Sequence, residues 1–338
     1  MKAMLLRRAG PIESRPLEGV DLPIPSPGPG EIRIKVRACG VCHTDLHTVV
    51  GELDPPLKPV VPGHQIVGIV DELGPETRRF REGERVGMAW LYKTCRTCAF
   101  CRRDQENLCV DAEFTGYHAH GGYAEYTVVH EDYAYAIPEL FTDEEAAPLL
   151  CAGIIGYRSL ILSRARPGDR LGLYGFGAAA HIVIQIARHR GMEVFVFSRG
   201  NRHLEMARDL GAAWTGHTGE MPPAKINSSI IFAPAGSIVP EALKHLDKGG
   251  TLALGGIYMS PIPTLDYQEH LYDEKTVRSV TASTRRDGEE LLKVAAEIPI
   301  RTRTQAFPLR EANEALHRLK MGKINGEAVL IVDQERRA

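Results

Sequence analysis

The sequence predicts an α/β protein in two parts, one β-rich and one a doubly wound parallel sheet. Three observations carry this. Its 338 residues exceed what a single core usually supports, so two domains are the natural division. Up to about residue 150 the strand patterns come without interleaved helix patterns, the first of them alternating apolar and polar residues. Beyond about residue 155 apolar strands alternate with helix patterns, as in parallel sheets covered on both faces.

Bulk composition bounds the function. A hydrophobic fraction of 43% and a charged fraction of 25% are ordinary for a globular chain. The formal net charge of −2 argues against a nucleic-acid or anionic-membrane partner, either of which would want a basic surface. The opening Met1-Lys2-Ala3-Met4-Leu5-Leu6-Arg7-Arg8 has too short an apolar run for a signal peptide. No uncharged apolar run of about 18 residues appears elsewhere. The expected location is the cytoplasm. In that reducing compartment seven cysteines point to metal ligation rather than to disulfides, and an odd count leaves at least one thiol unpaired.

In chain order, Ile32, Ile34 and Val36 alternate with Arg33, Lys35 and Arg37, the period of a half-buried strand. At its end stands Cys39-Gly40-Val41-Cys42-His43-Thr44-Asp45-Leu46-His47, rich in metal-ligating and proton-handling groups. Pro62-Gly63-His64-Gln65 then leads into a buried strand, Ile66 to Val70, with His64 at its entrance. Cys95, Cys98, Cys101 and Cys109 follow at close spacing. Four thiols so spaced can close a tetrahedral cage with no open position, which reads as a structural zinc site. Lys93, Arg96, Arg102 and Arg103 are interleaved and are expected to favour the thiolates. A further strand is expected over 121–129, and Cys151 comes next in an apolar setting.

The second part opens with a strand, Arg170 to Tyr174, ending in Gly175-Phe176-Gly177-Ala178-Ala179-Ala180. A helix follows with Ile182, Val183, Ile186 and Ala187 on one face and Gly191 as its stop, then a strand over Val194 to Phe197. This is a βαβ unit carrying G-x-G-x-x-A, a turn that lets a pyrophosphate approach a helix N-terminus. Ser198 and Arg199 end the second strand, where an acidic residue would bind the ribose hydroxyls of NAD. Ser198 repels no phosphate and Arg199 can pair with one, so NADP(H) is favoured, with NAD(H) possible. Strands over 229–232, 251–254 and 276–280, with a helix over 239–246, complete a sheet of five or six strands. The tail adds a helix face of Leu309, Ala312, Leu316 and Leu319, a stop at Gly322 and a strand over 328–332.

The order of these blocks resembles the zinc-dependent medium-chain alcohol dehydrogenases over essentially the whole chain. Cys39 to His47, Gly63-His64-Gln65, Cys95 to Cys109, Cys151-Ala152-Gly153-Ile154-Ile155-Gly156-Tyr157 and Gly175 to Ala180 carry the likeness. The text around His64 and Cys151 looks most like the bacterial AdhA-type branch. The resemblance implies a GroES-like catalytic domain over 1–153 and 285–338, interrupted by a Rossmann cofactor domain over 154–284. It also implies a catalytic zinc on Cys42, His64 and Cys151, a choice between Cys39 and Cys42 that spacing alone leaves open. Thr44 matches the hydroxyl that meets the substrate, His47 the outer proton acceptor, and Asp45 the carboxylate that orients the ligand imidazole. His43 stands where a basic residue lies near the pyrophosphate. Trp90 matches a bulky pocket wall and Ile155 a residue packing on the nicotinamide.

The implied activity is reversible oxidation of a small alcohol to an aldehyde or ketone by a homodimer or homotetramer. Three departures stand out: Gln65 where the family often has Glu, Ala180 for the third glycine, and Glu327 near where many members place Arg. Two other functions compete. One is a zinc-free quinone or enone reductase of the same superfamily. The other is a redox- or metal-responsive nucleotide-binding protein using Cys39 and Cys42.

Overall fold

The structure, a computed structural model, describes residues 1–324 and 326–332. The end of the expected C-terminal segment, 333–338, lies outside the described residues. The chain separates into two compact units. The first comprises Met1–Cys151, Ala282–Lys293 and the chain from Arg301 onward; the second comprises Ala152–Thr281 and Val294–Ile300. These edges fall two or three residues before those read from sequence, and Val294–Ile300 joins the second unit.

The first unit is organised on strand Glu31–Val41. Ile32, Ile34 and Val36 are fully buried, as the alternation predicts. The strand runs on to Val41 because Ala38, Cys39, Gly40 and Val41 are buried in succession. It pairs antiparallel with Gln65–Leu73, Glu327–Ile331 and Tyr126–His130, and Arg85–Met88, Ala134–Ala136 and Thr304–Pro308 extend the sheet to seven strands. The strand expected over 121–129 forms only at Tyr126–His130. Before it, the N–H groups of Gly121, Gly122 and Tyr123 donate to Val61, Gly63 and Pro62 at 2.7, 2.9 and 3.0 Å. That segment clamps the His64 loop instead of joining the sheet. A separate hairpin, Lys2–Leu6 with Leu17–Asp21, has no counterpart in the sequence reading.

The second unit is a six-stranded parallel sheet in the order Trp214–Gly216, Glu193–Phe197, Arg170–Tyr174, Ile226–Ile231, Leu246–Leu254 and Thr276–Ser279. Strand order reverses at Arg170–Tyr174, which is where ligands of such sheets bind. The glycine-rich turn sits at its carboxyl end. The helix Asn201–Asp209 and the short strand Trp214–Gly216 are new relative to the sequence reading. That helix buries only Leu204, Met206 and Ala207, too thin a stripe to show as a periodic pattern. Among the described residues no single helix is long and apolar enough to cross a bilayer.

Candidate functional site

Three residues distant in sequence meet in the first unit. The ligating atoms of Cys42, His64 and Cys151 lie within 4.8 Å of one another. His64 Nε2 is 3.4 Å from Cys42 Sγ and 3.3 Å from Cys151 Sγ. A tetrahedral zinc with sulfur and nitrogen ligands at their usual lengths needs about 3.5 Å between such atoms. The donor set therefore fits zinc, and three donors leave a fourth position open.

Each donor is aimed by local chemistry. Cys42 is the N-cap of helix His43–Val50, its Sγ accepting from the Thr44 N–H at 3.3 Å. The Asp45 carboxylate closes the capping box, Oδ2 accepting from the Cys42 N–H at 2.9 Å. Its other oxygen, Oδ1, lies 2.9 Å from His64 Nδ1. An ionised carboxylate only accepts, so Nδ1 keeps its proton, and Nε2 is the nitrogen that gives up a proton to offer a lone pair to a metal. One carboxylate thus fixes two of the three donors.

Gly63 sets the turn before His64. Its φ is +96°, and an added Cβ would fall 2.3 Å from Tyr123 Cδ1. Trp90 meets the His64 ring edge-on at 5.1 Å and stacks on Phe114 at 4.9 Å, with Tyr117 at 6.0 Å. Cys151 ends the turn Ala147–Leu150, its N–H donating to the Pro148 carbonyl at 3.4 Å.

Charge follows the same plan. The hydrogen bond from Cys151 holds the Cys42 thiol well below its ordinary value against burial, aided by the charge of His64. That bond and burial push Cys151 well above its own. A bound cation would favour the thiolate at both sulfurs. Burial works to lower the His64 imidazole, but the charges of Asp45 and Cys42 outweigh it and raise the group well above its usual range.

The structure separates Cys39 from Cys42. Cys39 is fully buried and lies within the strand ladder opposite Ile66. Its thiol is raised well above normal, first by burial and then by the charge of Asp45. It stays outside the donor cluster.

Cys95, Cys98, Cys101 and Cys109 form the second cluster, their sulfurs likewise within 4.8 Å. Cys95 Sγ lies 4.0 Å from Cys101 Sγ and 3.5 Å from Cys109 Sγ. A tetrahedral four-sulfur zinc needs about 3.8 Å. The backbone N–H groups of Thr97 and Cys98 lower Cys95 to about 6. Cys98 is lowered by the N–H of Cys101, while burial lifts Cys109 to about 12. The expectation that neighbouring cations favour the thiolates needs correction. Arg96 pairs with Asp132 at 2.8 Å, and Arg103 Nε donates to the Ala99 carbonyl at 3.0 Å. Backbone N–H groups aim at the sulfurs instead.

The remaining residues of the first unit lie on the helix that Cys42 caps. Thr44 is buried. His43 is exposed, and His47 sits one turn on with its Nδ1 against Glu52.

In the second unit Gly175 adopts φ +89°, and its N–H donates to the Phe197 carbonyl at 2.8 Å. Gly177 begins helix Ala178–His189 with no side-chain cap, and nothing lies within 4 Å of where its Cβ would be. The first helical N–H groups are thus left for an anion. Phe176 is buried, and Ile155 is half-buried on helix Ala152–Leu162. Ser198 is buried, with Oγ 3.3 Å from His203 Nδ1. Arg199 is exposed and makes no hydrogen bond or ion pair among the described residues.

Sequence reasoning missed three neighbours of the first cluster. Phe114 and Tyr117 extend the Trp90 wall, and the fully buried Tyr123 packs against Gly63. Glu327, which the sequence marks only as a departure from the family pattern, is buried beside the cluster.

Comparison with known proteins agrees with this arrangement. The family described as Alcohol dehydrogenase GroES-like domain matches residues 28–139, and that described as Zinc-binding dehydrogenase matches 178–297. The chain is 46% identical over 337 residues to a probable alcohol dehydrogenase AdhA of Mycobacterium tuberculosis, covering 98% of this chain and 97% of the relative. An NAD-dependent alcohol dehydrogenase of known structure is similar with a TM-score of 0.90 and 26% identity, covering 98% and 100% of the two chains. CAD from Helicobacter pylori, solved with NADP(H), gives a TM-score of 0.87 at 25% identity, covering 98% and 97%.

Proposed function

The chain belongs to the zinc-containing alcohol dehydrogenase family, oxidoreductases acting on CH–OH groups, and on that premise we propose its metal ligands, cofactor preference and substrate range. Cys42, His64 and Cys151 hold a catalytic zinc, and Cys95, Cys98, Cys101 and Cys109 a structural one. The observation that carries the catalytic assignment is the pair of 3.3 and 3.4 Å spacings around His64 Nε2. When bound, the catalytic zinc supplies a Lewis acid that eases removal of the substrate hydroxyl proton. The nicotinamide supplies the hydride acceptor.

The chain's own residues do the rest. Asp45 keeps the His64 proton on Nδ1, so that Nε2 stays a ligand. The Thr44 hydroxyl meets the substrate hydroxyl, and His47 serves as the outer proton acceptor. Glu52 lies against His47 Nδ1 and orients the ring. Trp90, stacked on Phe114 and edge-on to His64, walls the donors with rigid bulk. That supports slim, unbranched primary alcohols and their aldehydes. A zinc-free quinone or enone reductase would leave the converging donors without use.

For the cofactor, Gly175, Phe176 and Gly177 form the pyrophosphate turn, with His43 a further basic contact and Ile155 packing on the nicotinamide. Ser198 adds no negative charge, and Arg199 offers an unpaired guanidinium to a 2′-phosphate, which supports NADP(H) over NAD(H). The similar structures named above include one NAD-dependent enzyme and one complexed with NADP(H), and do not choose. Strand Thr276–Ser279 is a sheet edge, and Tyr258, Tyr267 and Tyr272 are exposed. A second copy covering that edge would make a homodimer or homotetramer. Seven free thiols, most of them in metal cages, suit the cytoplasm.

Steady-state kinetics on short alcohols and aldehydes with both cofactors, alongside zinc content, tests the proposal. The expected result is turnover, two zincs per chain, and an NADP(H) preference of about tenfold, equivalent to about 1.4 kcal/mol. Preference for NAD(H) by that factor would overturn the reading of Arg199. One zinc per chain would overturn the ligand assignment.

A further inference from the structure

A buried acid lies beside the Cys42–His64–Cys151 cluster, with the Gln65 amide as its near polar neighbour but no hydrogen bond of ordinary geometry to any described residue. Glu327 opens strand Glu327–Ile331, which pairs antiparallel with Glu31–Val41 through Ala328↔Val41 and Val329↔Gly40. Glu327 stands two residues before Val329, and Cys42 two after Gly40. Strand parity therefore puts Glu327 and Cys42 on one face. Gln65 occupies that face from the other side, being paired with Gly40. Gly40 leaves the gap its side chain fills: a Cβ there would come within 2.8 Å of Gln65 Cδ and 3.0 Å of Nε2. The Gln65 amide thus lies over Gly40, between the two flanking strands.

Both Glu327 carboxylate oxygens and both Gln65 amide atoms are buried without a hydrogen-bond partner among the described residues. Glu327 is 6% exposed and Gln65 fully buried. The surrounding charged groups are Cys42, His64 and Asp45. Each Asp45 oxygen already accepts one hydrogen bond, from Cys42 and from His64, and Asp45 is itself an anion. A carboxylate so deeply buried is costly unless an opposite charge faces it. The one opposite charge among those groups is His64, whose imidazolium must lose a proton before Nε2 can ligate, so a bound zinc would replace it as the cation facing Glu327.

Resting on the zinc reading above, we infer that Glu327 is a positioning residue of the catalytic metal centre. It is a buried outer anion that faces the dication across Gln65 and strengthens its retention without ligating it. It enters the site from the end of the chain, on a different strand from any of the ligands.

The test is the rate at which a colorimetric chelator removes zinc from the holoenzyme, read separately for the two metals. Glu327→Gln keeps shape and removes charge. It should speed loss of the catalytic zinc by about tenfold to a hundredfold and leave the four-cysteine site unchanged. Glu327→Asp, which keeps the charge, should stay close to the wild-type rate. The double variant Gln65→Glu/Glu327→Gln moves the carboxylate across Gly40 and should recover retention. A wild-type rate in Glu327→Gln overturns the inference while leaving the zinc reading intact. So does equal loss in Asp and Gln variants, which would make shape the cause. If Glu327→Gln fails to fold, the Asp and double variants still decide. A wild-type protein holding only one zinc overturns both.

Discussion

Asp45→Asn is the sharpest single perturbation of the site, because one carboxylate serves two donors. Oδ2 accepts from the Cys42 N–H and Oδ1 from His64 Nδ1, each at 2.9 Å. Asparagine has the same shape but only one acceptor. If its oxygen stays on the Cys42 N–H, its NH₂ faces His64 and forces the proton onto Nε2, where it blocks ligation. If the amide flips, two N–H groups meet at Cys42 and the helix loses its capping box. The lost cap costs about 1 kcal/mol. The lost bond to the charged carboxylate costs about 1.5–3 kcal/mol. Metal affinity should fall about tenfold to a hundredfold. The assay is zinc release to a chelator, with the four-cysteine site as internal control, since the hydrogen bonds of Asp45 go to Cys42 and His64. A variant that releases both zincs at wild-type rates would refute the claim that Asp45 sets the imidazole tautomer.

Three further predictions use other parts of the structure. Cys42→Ser should lower zinc from two per chain to one and abolish turnover while melting as a folded protein; full activity would exclude Cys42 as a ligand. Gly63→Ala must place a side chain at φ +96° and 2.3 Å from Tyr123. The left-handed backbone costs about 1–2 kcal/mol and overpacking about 1–3 kcal/mol, so urea unfolding should show a loss of several kcal/mol. A change within about 0.5 kcal/mol, the range of neutral surface substitutions, would contradict the packing argument. The last concerns pH. Burial and then the charge of Cys42 lift Glu327 from 4.5 to about 8, against the Gln65 and His64 contributions that lower it. A carboxyl that holds its proton more tightly folded than unfolded contributes stability present below pH 4.5 and lost as pH rises through about 8. In zinc-stripped protein the wild type should lose up to about 1.4 kcal/mol per pH unit across that window relative to Glu327→Gln. Parallel pH–stability curves would show that Glu327 titrates normally.

What the sequence discloses depends on whether the physics is local. The alternation in Ile32, Ile34 and Val36 is local, and the strand forms there. So is the close spacing of Cys95 to Cys109, whose sulfurs do converge. The glycine-rich turn is legible because strand, turn and helix are contiguous, and Gly175 takes the left-handed conformation. The choice between Cys39 and Cys42 is not local. It turns on where strand Glu31–Val41 ends: Cys39 is inside the ladder and faces core, whereas Cys42 is just outside it and caps a helix. Nothing in Cys39-Gly40-Val41-Cys42 fixes that end point, since all four residues suit a buried strand. Phe114 and Tyr117 stay hidden for the same reason, because only tertiary contact makes them neighbours of Trp90.

Gln65 and Glu327 show how far such non-local effects reach. Read along the chain they are two unrelated departures, an acid lost after His64 and a base lost near the end. Read across the sheet, they lie on one face to either side of a single strand, because Gly40 pairs with Gln65 on one side while the register on the other carries Glu327 opposite Cys42. An acid on either strand reaches the same buried face, while Gly40 leaves the passage between them open. The centre therefore need not have lost a carboxylate when residue 65 became neutral. The register allows the charge to be supplied from Glu327. That makes the two positions a coupled pair, for which a double-mutant cycle should return a large non-additive term. Independent sites would give additivity within about 0.5 kcal/mol.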